Sequence, residues 1–64
     1  MKQVYCTKDF VEDGIDYWNK GNYYNVRGYD ENNGGLILEN NYGTGMIYDE
    51  DFDEYFEEVK GEEA

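Results

Sequence analysis

Histidine, serine and proline are absent from this sequence, and cysteine occurs once, at Cys6. Without His or Ser, neither a Ser-His-Asp nor a Cys-His arrangement can be assembled, so an enzyme is not expected. One Cys excludes an internal disulfide framework and a cysteine-based zinc site. Cations are scarce too: Lys2, Lys8, Lys20, Arg27 and Lys60 stand against 16 Asp and Glu, giving a formal net charge of −11. Each phosphate contact needs a cation, so direct binding to DNA or RNA is disfavoured, and so is an anionic membrane surface. No apolar run approaches the roughly 20 residues that cross a bilayer. Met1-Lys2-Gln3-Val4 opens no signal-peptide hydrophobic region, and the expected setting is the cytoplasm.

What the chain does hold is aromatic and acidic. Its 64 residues include eight Tyr, three Phe and one Trp. High net charge alone would favour disorder, but aromatic side chains carry enough burial energy to hold one small core. The charge is uneven. Residues 1 to 48 hold seven acids and four bases, a net of −3. Residues 49 to 64 hold nine acids and one base, a net of −8. The expected organisation is a single folded domain over 1–58 and a disordered acidic tail over 59–64.

Turn signals divide the body into short segments. Val4-Tyr5-Cys6 reads as a strand of β-formers. Thr7 to Gly14 reads as a loop anchored by Phe10, and Ile15 to Trp18 as irregular or a poor helical turn. Lys20-Gly21-Asn22 is a turn, followed by a strand Tyr23–Arg27 with Tyr24 and Val26 on one face. Gly28 to Gly35 reads as a hairpin loop containing the strong turn dipeptide Asn33-Gly34. Leu36-Ile37-Leu38 is the most apolar run and the expected central strand. Glu39 to Gly45 is a second turn region, and Met46-Ile47-Tyr48 closes the hairpin. Asp49 is a candidate N-cap. Phe52, Tyr55 and Phe56 then fall at i, i+3 and i+4, one face of a short helix. The expected fold is mainly β: a small SH3-like barrel or curled antiparallel sheet of roughly three to five short strands, with one short C-terminal helical turn.

The order of these segments resembles that of small uncharacterised SH3-like proteins of bacteriophages and their Gram-positive hosts. The resemblance is carried by Val4-Tyr5-Cys6-Thr7-Lys8-Asp9-Phe10 and by the turn and strand Lys20-Gly21-Asn22-Tyr23-Tyr24-Asn25-Val26. Asn40-Asn41-Tyr42-Gly43 and the closing Asp51-Phe52-Asp53-Glu54-Tyr55-Phe56-Glu57 complete it. It spans residues 4 to 57, implies an SH3-like barrel, and assigns no catalytic residue. The Gly28 to Gly35 segment is longer than a minimal hairpin of that pattern.

Metal and cofactor chemistry finds no support in the spacing. A calcium loop begun at Asp30 has Gly34 at its fifth position and Asn41 at its twelfth. One begun at Asp49 has Glu54 where glycine is needed and Lys60 at the last ligand. Cys6, in a strand, reads as a small buried hydrophobe.

The candidate site is therefore a binding surface. Asp49, Glu50, Asp51, Asp53, Glu54, Glu57 and Glu58 fall within ten residues. On a helix their charge per length approaches that of duplex DNA, about one charge per 1.7 Å of axis. With Phe52, Tyr55 and Phe56 facing the core, these carboxylates would project outward as a DNA-like ridge or as a merely solvated face. Tyr29 and Tyr42, flanked by Asn and Gly, are the expected exposed anchors, with Tyr17 and Trp18 as further candidates. Trp18 has the alternative of folding over an open end of the barrel. The expected partner is a basic host protein that binds nucleic acid, such as a CRISPR, restriction or transcription enzyme, inhibited by occupation of its basic groove. The alternative is a non-catalytic structural or accessory subunit that self-associates through a sheet edge or aromatic surface. A nucleic-acid-binding SH3-like module is the third, and the charge opposes it.

Overall fold

The structure is a computed structural model and describes residues 2–59. Seven strands and one helix follow in the order β1 Gln3–Cys6, β2 Phe10–Glu12, β3 Ile15–Trp18, β4 Tyr23–Asp30, β5 Gly35–Asn40, β6 Gly43–Tyr48, α1 Asp49–Tyr55 and β7 Phe56–Glu58. Five of the strands form one open antiparallel sheet in the order β6-β5-β4-β1-β7, and β2 and β3 form a separate two-stranded hairpin. The mainly β fold with one short helix is as expected. The total of seven strands exceeds the expected three to five, because two segments read as loop and irregular chain pair with each other.

That pairing has a local cause. Asp13 and Gly14 both take positive φ, 54° and 78°. A two-residue turn with both central residues at positive φ has the twist that antiparallel strands require, and Asp-Gly is among its preferred sequences. It joins Glu12 to Ile15, which face each other in the β2–β3 register.

The loop expected over Gly28 to Gly35 is also shorter. β4 continues through Gly28-Tyr29-Asp30, with a bulge between Val26 and Gly28. Only Glu31 to Gly34 turns. The Asp30 carboxylate accepts the backbone N–H groups of Asn32 and Asn33 and the Asn33 side-chain amide at 2.8 Å. These bonds, the side-chain one foremost, hold the Asp30 carboxyl below the usual carboxylate range. The second turn is likewise confined to Asn41 and Tyr42, since Asn40 and Gly43 already face each other. Gly45 pairs with Leu38 in the β5–β6 ladder, and Trp18 and the Asn40 amide fill the space a side chain there would need.

Period-two alternation sorts the faces. Val4 and Cys6 of β1, Tyr24 of β4, Leu38 of β5, Ile47 of β6 and Phe56 of β7 are buried together with Trp18. Trp18 is 2% exposed, so the indole takes the folded-back placement and is no surface anchor. Its ring meets Phe10 and Phe56 edge-on, at centroid distances of 5.0 and 5.5 Å. Its N–H donates to the Glu39 carbonyl at 2.8 Å, which satisfies the one polar atom the ring brings into the core. Cys6 donates its S–H to the Lys8 carbonyl, and burial pushes its thiol pKa up. The thiol is a core hydrophobe held away from thiolate chemistry.

After β6 the chain enters α1 directly. The N-cap is Tyr48, with no side-chain cap bond, so Asp49 is the first helical residue and not the cap expected. Its backbone N–H is satisfied by the Gly34 carbonyl at 2.9 Å. α1 ends at Tyr55, and Phe56 turns extended to begin β7. The helix therefore stops before the third residue of its expected apolar face. Glu57 and Glu58 would have met the negative end of its dipole, with no basic residue in the last turn to offset them. Pairing with β1 gives them an extended alternative. Of the tail expected over 59–64, Val59 is half-buried and residues 60–64 lie outside the described residues.

Candidate acidic interface

The acidic segment is split between a helix and a strand. Asp49, Glu50, Asp51, Asp53 and Glu54 lie on α1, where the rise is about 1.5 Å per residue. Glu57 and Glu58 lie on β7, where it is about 3.4 Å and successive side chains point to opposite faces. The expected DNA-like spacing over ten residues is therefore corrected: it holds for α1 alone. Glu57 sits opposite Tyr5, while Glu58 sits opposite Val4, whose side chain is in the core. Glu58 thus shares the face of Phe56, and Glu57 takes the outer face beside Tyr5 and Tyr23.

Four of the expected site residues converge. Tyr29, Asp49, Asp53 and Glu58 border a groove of about 300 Å³ whose floor is Leu36 and Phe52. The Tyr29 hydroxyl donates to the Asp49 carboxylate. That bond, before burial and neighbouring charge, raises the Tyr29 phenol above its ordinary pKa. Glu54 is turned away from this group and is spoken for: Lys8 Nζ lies 2.8 Å from Glu54 Oε2 and 5.3 Å from the Tyr55 ring centroid. The only other ion pair among the described residues is Arg27 with Glu39. Asp49, Glu50, Asp51, Asp53, Glu57 and Glu58 therefore have no cationic partner among the described residues.

Tyr29 and Tyr42 are exposed as expected, at 49% and 67%. They do not form one surface. Tyr29 borders the groove beside α1, while Tyr42 sits in the β5–β6 turn, stacked edge-on with Tyr17 at 5.8 Å. Gly43–Tyr48 separates that turn from the start of α1, a span of roughly 17 Å. Tyr17 is half-buried. Among the described residues no three Cys, Asp or Glu side chains are placed to hold a metal ion. No helix there is long and apolar enough to cross a membrane.

Sequence reasoning missed the floor of the groove and the partner of Glu54. Leu36 was readable as a core strand residue and Phe52 as a core helix residue, but nothing in the sequence brings their half-buried edges together. Lys8 and Glu54 are 46 positions apart, with no periodicity to pair them. Compared with known proteins, the chain matches no family, no curated relative and no solved structure.

Proposed function

We propose that this chain is a non-catalytic, acidic interaction module that docks on the basic nucleic-acid-binding surface of a partner protein and blocks it. One observation carries the reading: α1 presents Asp49, Glu50, Asp51 and Asp53 at helical spacing, with Glu58 alongside, and none has a cation of its own chain among the described residues. Such a surface gives attraction and orientation toward a cationic groove. The Leu36–Phe52 floor and Tyr29 supply the apolar contact that charge alone lacks.

The setting follows from the resemblance to phage proteins. The SH3-like assignment draws support from the connectivity: a hairpin between the first two main-sheet strands, and a short helix before the last strand closes on the first. A phage-encoded inhibitor of a host CRISPR, restriction or transcription enzyme, acting in the host cytoplasm, is the concrete form.

The test is capture of partners from host lysate, eluted in steps of rising salt, with Glu50→Lys/Asp53→Lys as the control. Both positions are exposed and have no ion-pair partner among the described residues, so the variant is expected to fold, which its urea midpoint checks. A nucleic-acid-binding protein held by wild type, released by salt and lost on the variant is the expected result. Equal capture by the folded variant sinks the electrostatic mechanism.

A further inference from the structure

The main sheet ends at β6 on one side and β7 on the other. β7 is three residues long, and two of them are Glu57 and Glu58. β6 runs six residues, Gly-Thr-Gly-Met-Ile-Tyr, with no charged side chain. A free edge offers unpaired N–H and C=O groups to any other chain, and soluble proteins blunt it by shortening it, charging it or covering it. β7 is both short and charged. β6 is neither, in a chain of net charge −11. In its antiparallel ladder with β5, every second β6 residue turns its N–H and C=O outward. Among the described residues, no backbone hydrogen bond outside the strand ladders and α1 reaches Gly43–Tyr48.

We propose that β6 is a strand-addition site, and that its occupant is an extended segment of a basic partner protein. The inference rests on the reading of the partner as basic and adds how it is held. Antiparallel addition matches every other pairing in the sheet. It places the N-terminal end of the added segment at Tyr48, where Asp49, Glu50 and Asp51 begin α1. Charge complementarity then fixes the sequence of the occupant: Lys or Arg first, followed by about four to six uncharged residues of β-forming type. A groove of about 210 Å³ runs beside this edge, with Phe10, Tyr17, Trp18 and Met46 as its apolar wall and Glu12, Asn40 and Thr44 at its polar side. It receives one apolar side chain of the added strand. Main-chain bonds thus supply affinity, and the groove and the acidic end select the sequence. A second copy of this chain fits less well. It would bring a further −11 charge to the contact, where a basic segment brings the opposite sign.

The probe is a display library of random peptides about twelve residues long, selected on the intact protein. One enriched peptide is then synthesised and titrated. The expected winners carry Lys or Arg ahead of a short apolar β-forming run. The expected peptide slows amide hydrogen exchange in β6 and not in β7. It binds Thr44→Lys roughly tenfold more weakly or worse, because Thr44 is an exposed β6 residue and an edge lysine opposes pairing. Thr44→Val retains binding and confirms that the position tolerates substitution. Peptides that bind Thr44→Lys as well as wild type, without protecting β6, overturn the strand addition. If those peptides are still lost on Glu50→Lys/Asp53→Lys, the basic-partner reading survives that failure. Protection of β6 by salt-insensitive peptides without Lys or Arg overturns the stated occupant and counts against the basic partner as well. Protection of β6 that grows with protein concentration alone assigns the edge to a second copy and overturns the proposal. So does the absence of any enrichment.

Discussion

The two edges of the sheet solve the same physical problem in opposite ways. β7 is the shorter ladder, three residues against β1, and it is held by one anchor. Phe56 is 1% exposed and stacks on Phe52 at 5.7 Å while meeting Trp18 edge-on. Its two glutamates keep other strands away. β6 has the longer ladder, six residues against β5, and its outer side is uncharged. Both edges have a buried anchor, Phe56 and Ile47, but β7 offers three residues of backbone guarded by two glutamates, and β6 offers six with no charge along them. The lesson is that charge in this protein is placed beside the open edge, on α1, and not along it.

Phe56→Ala should break the comparison most sharply. Removing a buried Phe costs about 3–5 kcal/mol, a large part of the 5–15 kcal/mol typical of a folded domain. A large drop in the urea midpoint is the expected outcome, with β7 amides losing exchange protection first. A small shift would mean that β7 is held by its ladder and not by its anchor. Gly35→Ala comes next and strikes the β6 side. A Cβ there would lie 2.7 Å from Met46 Cγ and 2.9 Å from the Ile47 carbonyl oxygen. The side chain can move and the backbone cannot, so β5 and β6 must separate locally at a cost of about 1–3 kcal/mol, read in the same urea titration.

The smallest effect sharpens the junction between β6 and α1. The bond from Tyr29 to Asp49 raises the phenol pKa. An acid whose folded pKa is raised gives stability that is present below its unfolded pKa. That contribution is lost as pH rises through the folded value. The contribution is therefore fully present at neutral pH, and only its loss is an alkaline effect. Asp49→Asn should bring the Tyr29 titration down, followed by ultraviolet difference absorbance. An unchanged titration would mean that the two side chains do not meet in solution.

The two edges also show what was legible in the sequence. Leu36-Ile37-Leu38 and Val4-Tyr5-Cys6 declared themselves by β-forming residues, and Tyr24 and Val26 by alternation. The glycines misled. Gly28, Gly35, Gly43 and Gly45 read as loop because glycine is depleted in strands. Yet Gly35 and Gly45 are paired in strands, and they are glycine because Met46 and Trp18 occupy the space a side chain would need. That reason is tertiary and leaves no local trace. Asp13-Gly14 was a readable turn signal, but the segments on either side of it are three and four residues long and carry no clear alternation. At the site, the acidic run was plain. Its break at Phe56 was not, because Phe52 and Phe56 keep helical spacing across a helix end. Which carboxylates stay unpaired depends on Lys8 reaching Glu54 across the fold, and spacing carries no sign of that.

The most direct measurement is the nucleic-acid binding of a captured partner, titrated with this protein at fixed ionic strength. The expected result is stoichiometric loss of the partner's nucleic-acid complex with wild type. Retention of the complex with Glu50→Lys/Asp53→Lys, folded to the same stability, completes that result. A ternary complex, or equal displacement by wild type and variant, would contradict the assignment of α1 as the surface that occupies the basic groove.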